Sequence, residues 1–118
     1  MSWLLDTNSI IYIQKGLIKE NLPEIQVYIS VITRMELLSY PNLSIEERLK
    51  LINFLSSFSI IPLDQQVEDT AIDIRLKYKL KLPDSIIVAS AICMDSILVS
   101  NDSQLEKVKE INLKKLEL

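Results

Sequence analysis

The sequence predicts an α/β fold, a three-layer α/β/α sandwich around a mainly parallel sheet. Three observations predict it. Short apolar, β-rich runs alternate with stretches of helical periodicity along the whole chain. One helical stretch, residues 82–94, is apolar nearly all round and so requires neighbours on every side. The 118 residues include a single glycine and four prolines, which gives enough chain to bury a core and little sequence suited to flexible linkers. The expectation is one domain spanning residues 1–118.

Trp3 to Leu5 is a short apolar run and reads as a buried strand ending at Asp6. Ser9 to Lys15 follows as a helix. The β-rich run "QVYIS" (26–30) is a second strand, and "VITRMELLSY" (31–40) turns helical and stops near Pro41. Ser44 opens another helix through the capping-box form "SIEE", with Glu47 reaching back. Ile45, Leu49, Ile52, Leu55 and Phe58 then recur at spacings of three and four, which predicts that they share the buried face. "SIIPL" (59–63) is a third strand, placed near an edge or an end by Pro62. Val67, Ala71, Ile74 and Tyr78 mark the next amphipathic helix. Pro83 and Asp84 suit the start of the apolar helix that follows. "ILVS" (97–100) is a fourth strand, "NDSQLEKVK" a short polar helix, and the tail "INLKKLEL" a candidate fifth strand.

Composition narrows the chemistry. The net charge is −3, which argues against a generic DNA-coating protein. Histidine is absent, so Ser-His-Asp and Cys-His triads and histidine metal sites are excluded. Cys93 is the only cysteine, which precludes an internal disulfide, and its apolar helix suits core packing rather than nucleophilic work. No run approaches the ~18 apolar residues of a membrane span, and Asp6 interrupts the one stretch resembling a signal sequence. The expected location is the cytoplasm, with no membrane partner.

What remains is carboxylate chemistry. In parallel α/β folds ligands bind outside the carboxyl ends of the strands. Asp6 and Asp102 sit just past such ends, and Glu36 lies in the helix after another. Each acid also has a plain structural reading. Asp6 could cap the helix behind it. "TRME" (33–36) has capping-box form, so Glu36 could bond back to Thr33. Asp84 could serve only as a helix-start carboxylate, and Asp102 could do the same for the last helix. Taken together, the four could converge at one sheet edge. Such a cluster repels itself, and it persists only if one acid is protonated or a cation is bound. Carboxylate oxygens suit Mg²⁺ or Mn²⁺, which can activate water and stabilise phosphoryl-transfer charge.

"LLDTN" at the start, "ISVITRMEL" (29–37), "LPDSIIVASA" (82–91) and "ILVSND" (97–102) resemble, in order and spacing, the four acidic motifs of PIN-domain ribonucleases. The similarity is greatest to the VapC-type toxins of toxin–antitoxin pairs and runs over essentially the whole chain. The resemblance implies that Asp6, Glu36, Asp84 and Asp102 are the catalytic and metal-site acids, with Asp6 and Asp84 central. Asn8 and Ser100 match positions that steady the site. It further implies Mg²⁺- or Mn²⁺-dependent cleavage of single-stranded or looped RNA, a homodimer, and a cognate antitoxin that blocks the site. One departure stands out: where many members carry a further acid two residues after "ND", this chain has the neutral Gln104. That leaves a second cation short of a ligand.

Arg75, Lys77, Lys79 and Lys81 precede Asp84 and could form a phosphate-contacting strip or a solvated helix end. Two rival readings are weighed. A phosphoacceptor receiver domain would need paired acids after the first strand and a lysine after the last, and neither is present. A PIN-like module that binds RNA or protein without turnover would keep the same pattern with a weakened site, which Gln104 allows.

Overall fold

The computed structural model describes residues 1–118. Five strands form one all-parallel sheet, β1 (Ser2–Leu5), β2 (Gln26–Ser30), β3 (Ser59–Ile61), β4 (Ile97–Val99) and β5 (Asn112–Lys114), in the order β3-β2-β1-β4-β5. The expected mainly parallel sandwich is therefore observed, with every pair parallel. Five helices cover the sheet: α1 (Thr7–Gln14), α2 (Val31–Leu38), α3 (Ile45–Leu55), α4 (Gln65–Tyr78) and α5 (Leu82–Cys93). The polar helix read at 101–109 is a short 3-10 turn, Ser103–Lys107.

The central strand explains the layers. Successive side chains of a strand point to opposite faces. Leu4 and its neighbour Leu98 enter one core with Ala71 and Ile74 of α4 and Val88 of α5. Trp3, Leu5, Ile29 and Val99 enter the other, with Ile10 of α1, Leu37 of α2, and Leu51 and Leu55 of α3. Each core buries its residues almost completely, and the apolar run before Asp6 thus anchors both sides of the sheet.

Several boundaries differ from the sequence reading. Helix α1 starts at Thr7, two residues early, because the Asp6 side chain accepts from the Ser9 amide and caps it. Pro62 follows β3, which is an edge strand as expected. Only Asn112–Lys114 of the tail is strand. Past it, Leu116 is buried and clasped by Asn101, whose side chain donates to the Leu116 carbonyl at 3.0 Å and accepts from its amide at 2.8 Å.

The buried face of α3 is also corrected. The capping box of Ser44 and Glu47 is present, but Ile45 is 82% exposed and Leu49 62%. Leu55 is buried and Phe58 packs on the core as expected, but Leu51 takes the remaining core position, with Phe54 edge to face against Phe58. The helix carries apolar residues around more than one stripe, and only the stripe that meets α1 and α2 can be covered. This assignment gives a direct expectation. Leu51→Ala should cost about 2–5 kcal/mol in urea unfolding, the range for a core leucine, whereas Leu49→Ala should stay within about 0.5 kcal/mol, as exposed substitutions do. Equal losses would restore the original face.

Candidate active site

The strand order reverses between β1 and β4, and a crevice opens outside their carboxyl ends, as expected at such a switch point. Asp6, Glu36, Asp84 and Asp102 all line it, in a cleft of about 390 Å³. The four acids named from sequence come from four separate chain segments, and the fold brings them to one place.

The floor of the cleft is rigid. The Asp6 amide donates to the Val99 carbonyl at 3.1 Å, extending the β1–β4 ladder by one bond. The fully buried Ser9 hydroxyl donates to the same carbonyl at 3.0 Å. Asp6 itself is only 8% exposed, and one of its oxygens accepts the Ser9 amide at 2.8 Å. The capping role and the cleft-lining role are thus combined in one residue, with one oxygen capping the helix and the other making no protein hydrogen bond.

Asp102 repeats this arrangement. Its Oδ1 accepts the Gln104 amide at 2.9 Å. Its own amide donates to the hydroxyl of Ser100, a fully buried residue, at 3.1 Å. Ser100 therefore shapes the turn carrying Asp102, while Asn8 lines the cleft from an exposed position.

Glu36 does not form the capping box that "TRME" suggests. Ser30 caps α2, accepting from the Ile32 amide, and Thr33 lies inside the helix. Glu36 is held instead by the Thr7 hydroxyl, which donates to its Oε1 at 2.7 Å.

Asp84 is the third residue of α5, whose start has Pro83 and no side-chain cap. Its carboxyl is pushed above the usual range, first by burial and then by the negative charges of Asp102 and Glu36, with Asp6 adding and Lys81 opposing. The mutual repulsion inferred from sequence is thus present at this carboxyl.

The donor set is all carboxylate oxygen, which suits a hard divalent cation and not a soft one. No three of the side chains converge tightly enough to cage an ion unaided. Asp6, Glu36 and Asp102 each use one oxygen within the protein, and the other oxygen makes no protein hydrogen bond. That open geometry fits Mg²⁺-type binding, in which the ion keeps several waters and takes one or two carboxylates plus phosphate oxygens.

Of the basic residues, Lys81 adjoins the cleft as the residue before α5 and acts on Asp84. Lys77 instead pairs with Glu110 at 3.0 Å. Lys79 ends α4 in a left-handed conformation at φ 57°. Arg75 borders a separate apolar groove with Leu76 and Leu82. Sequence reasoning missed Thr7, Ser39, Tyr40 and Ile87, which also line the cleft. A hydroxyl directly after Asp6 was an available signal for Thr7; Tyr40 follows the end of α2, and no spacing marks it.

The PIN domain family model matches residues 3–111. Among solved structures, a toxin–antitoxin complex from Klebsiella pneumoniae is 29% identical, with a TM-score of 0.76 over 92% of this chain and 93% of that one. DNA-bound VapBC from Salmonella typhimurium is 24% identical at TM-score 0.80, covering 98% of each chain. VapBC-1 from nontypeable Haemophilus influenzae is 20% identical at TM-score 0.82, again over 98% of each. No curated protein sequence matches. The motif order, the cleft of acids outside the parallel strand ends, and the family match over nearly the full length agree: the chain belongs to the PIN domain family.

Proposed function

We propose that this protein is a Mg²⁺- or Mn²⁺-dependent endoribonuclease acting in the cytoplasm as the toxin of a toxin–antitoxin pair, on single-stranded or looped RNA. The observation that carries this reading is the gathering of Asp6, Glu36, Asp84 and Asp102 in one cleft. When bound, a divalent cation would lower the pKa of an attacking water and neutralise phosphoryl charge. Asp6 and Asp84 would hold it most directly, with Glu36 and Asp102 bonding directly or through water. Thr7 fixes Glu36, Ser100 fixes the Asp102 turn, and Asn8 offers an amide at the rim. Tyr40, 52% exposed at the cleft edge, presents a ring on which a splayed base could stack. Of the basic residues read from sequence, Lys81 is the best placed for a phosphate.

Two surfaces support the proposed partners. A groove of about 510 Å³ between α1, α2 and α3 meets the acid cleft at Tyr40, so an antitoxin segment lying in it would end over the acids. On the opposite layer, Ile72, Leu76 and Leu82 are at least half exposed around a groove of about 440 Å³. Glu68 and Arg75 border that groove on either side of Ile72. Antiparallel pairing of α4 with α4 of a second copy would set each acid against a base, which supports a homodimer. No helix is long and apolar enough to cross a membrane.

Purified protein should cleave a mixed RNA pool with Mn²⁺ or Mg²⁺ and not with chelator. Asp6→Asn and Asp84→Asn, prepared identically, should lose at least about a hundredfold in rate, as loss of a metal ligand implies. Metal-independent cleavage would overturn the proposal, and RNA binding without cleavage would favour the non-catalytic reading. A second expectation concerns stability. The folded Asp84 holds its proton more tightly than the unfolded chain, so stability is full below the ordinary value of 3.8 and falls as pH rises through the window up to the raised folded value. Asp84→Asn should therefore melt above wild type at neutral pH, with the difference vanishing in acid. A variant melting below wild type at pH 7 would contradict the repulsion. A third concerns assembly: Ile72→Glu should convert a dimer to a monomer by light scattering, and an unchanged dimer mass would remove that face.

A further inference from the structure

The cleft contains a hydrogen-bond chain that reaches beyond its acids. Thr7 is the first residue of α1, and its hydroxyl donates to Glu36 Oε1 at 2.7 Å. The Thr7 hydroxyl oxygen also lies 3.1 Å from the hydroxyl of Thr33, which is wholly buried. Thr33 and Glu36 are three residues apart on α2, so both face the start of α1. A threonine hydroxyl has one proton to give. The Thr7 proton is committed to the carboxylate, so Thr33 must be the donor in the pair it forms with Thr7. The chain therefore has a direction: Thr33 to Thr7 to Glu36.

From this geometry we infer that Thr7 and Thr33 form a two-hydroxyl relay that positions Glu36, holding Oε1 so that Oε2 faces the cleft. Glu36 is the one acid of the four whose protein hydrogen bond comes from another element, since Asp6 and Asp102 bond to nearby backbone amides and Asp84 bonds to none. Its backbone lies in α2, a full turn beyond the end of β2, and not at the strand end itself. Without the relay the glutamate could swing on its longer stem among several rotamers. With it, α1 and α2 are coupled at the point where the cleft is formed. The relay would also offset the missing acid at Gln104, by keeping Glu36 available on a cation otherwise short of ligands.

The link to cation binding rests on the proposed metal role of Glu36, but the hydroxyl chain does not, and the test separates them. Thr7→Val keeps the shape and removes the donor, Thr7→Ser keeps the donor, and Thr33→Val removes only the outer hydroxyl. Melting temperatures are measured in metal-free buffer, with Thr7→Val made in both the wild-type and the Glu36→Ala background. The relay requires Thr7→Val to lower the melting temperature in wild type, to have much less effect once Glu36 is gone, and Thr7→Ser to restore it. Equal effects in the two backgrounds, or a serine no better than valine, would overturn the relay. Mn²⁺ titration of the same proteins, followed by the loss of the free-ion paramagnetic resonance signal, should show binding about tenfold weaker in Thr7→Val, a smaller loss in Thr33→Val and near-wild-type binding in Thr7→Ser. Wild-type Mn²⁺ affinity in Thr7→Val would overturn its consequence for the ion. Wild-type protein that takes up no Mn²⁺ would instead count against the metal reading, while the melting comparison still decides the relay.

Discussion

The constraint on which the structure depends is that like charges must be held together by something stiffer than their repulsion. Carboxylates brought to one cleft push apart, and the raised proton affinity of Asp84 reflects burial first and that push second. The counterforce is supplied mostly by backbone. Asp6 follows the central strand of a parallel sheet, and its amide and the Ser9 hydroxyl both bind the Val99 carbonyl, so the β1 and β4 ends are locked beneath the cleft. Leucines on alternating faces of β1 sit in both cores, so this point can shift only if a core opens.

Each acid meets the constraint differently. Asp6 and Asp102 spend one oxygen on a helix start, where amides and helix dipole favour negative charge. Glu36, on a longer stem, is held by a neighbouring hydroxyl. Asp84 accepts no side-chain hydrogen bond and is placed by its helix, and its proton affinity is raised by burial first and by the neighbouring acids second. Preorganisation of this kind rests on rigid elements more than on direct contacts among the acids.

The sheet and its acids were legible in the sequence because both depend on local signals. A short apolar run followed by Asp or by a capping Ser marks a strand end whatever lies elsewhere in the chain, and three such ends, with the start of α5, define the cleft. What was not legible depended on distant neighbours. Two apolar stripes on α3 look alike until α1 and α2 cover one of them. The "TRME" pattern satisfies the capping-box form, yet Ser30 takes the cap because the strand ends there, and Glu36 is turned to Thr7, 29 positions away. Arg75 and Lys77 lie near Asp84 in sequence but face an apolar groove and Glu110, since a helix sends neighbouring residues to different sides.

The two uses of Asp6 have a consequence for how such a domain can change over generations. One oxygen caps α1 and the other is free of protein hydrogen bonds in a residue that lines the cleft, so fold and cleft need not compete for the same atom. Asparagine retains the oxygen that caps α1 and discards the charge that crowds Asp84. A lineage released from selection for chemistry could therefore abandon it by one conservative change without losing its architecture, and the crowded site would relax as it did so. Inactive descendants of this fold should accordingly be easy to form, and they should be recognised by amides standing at otherwise undisturbed strand ends.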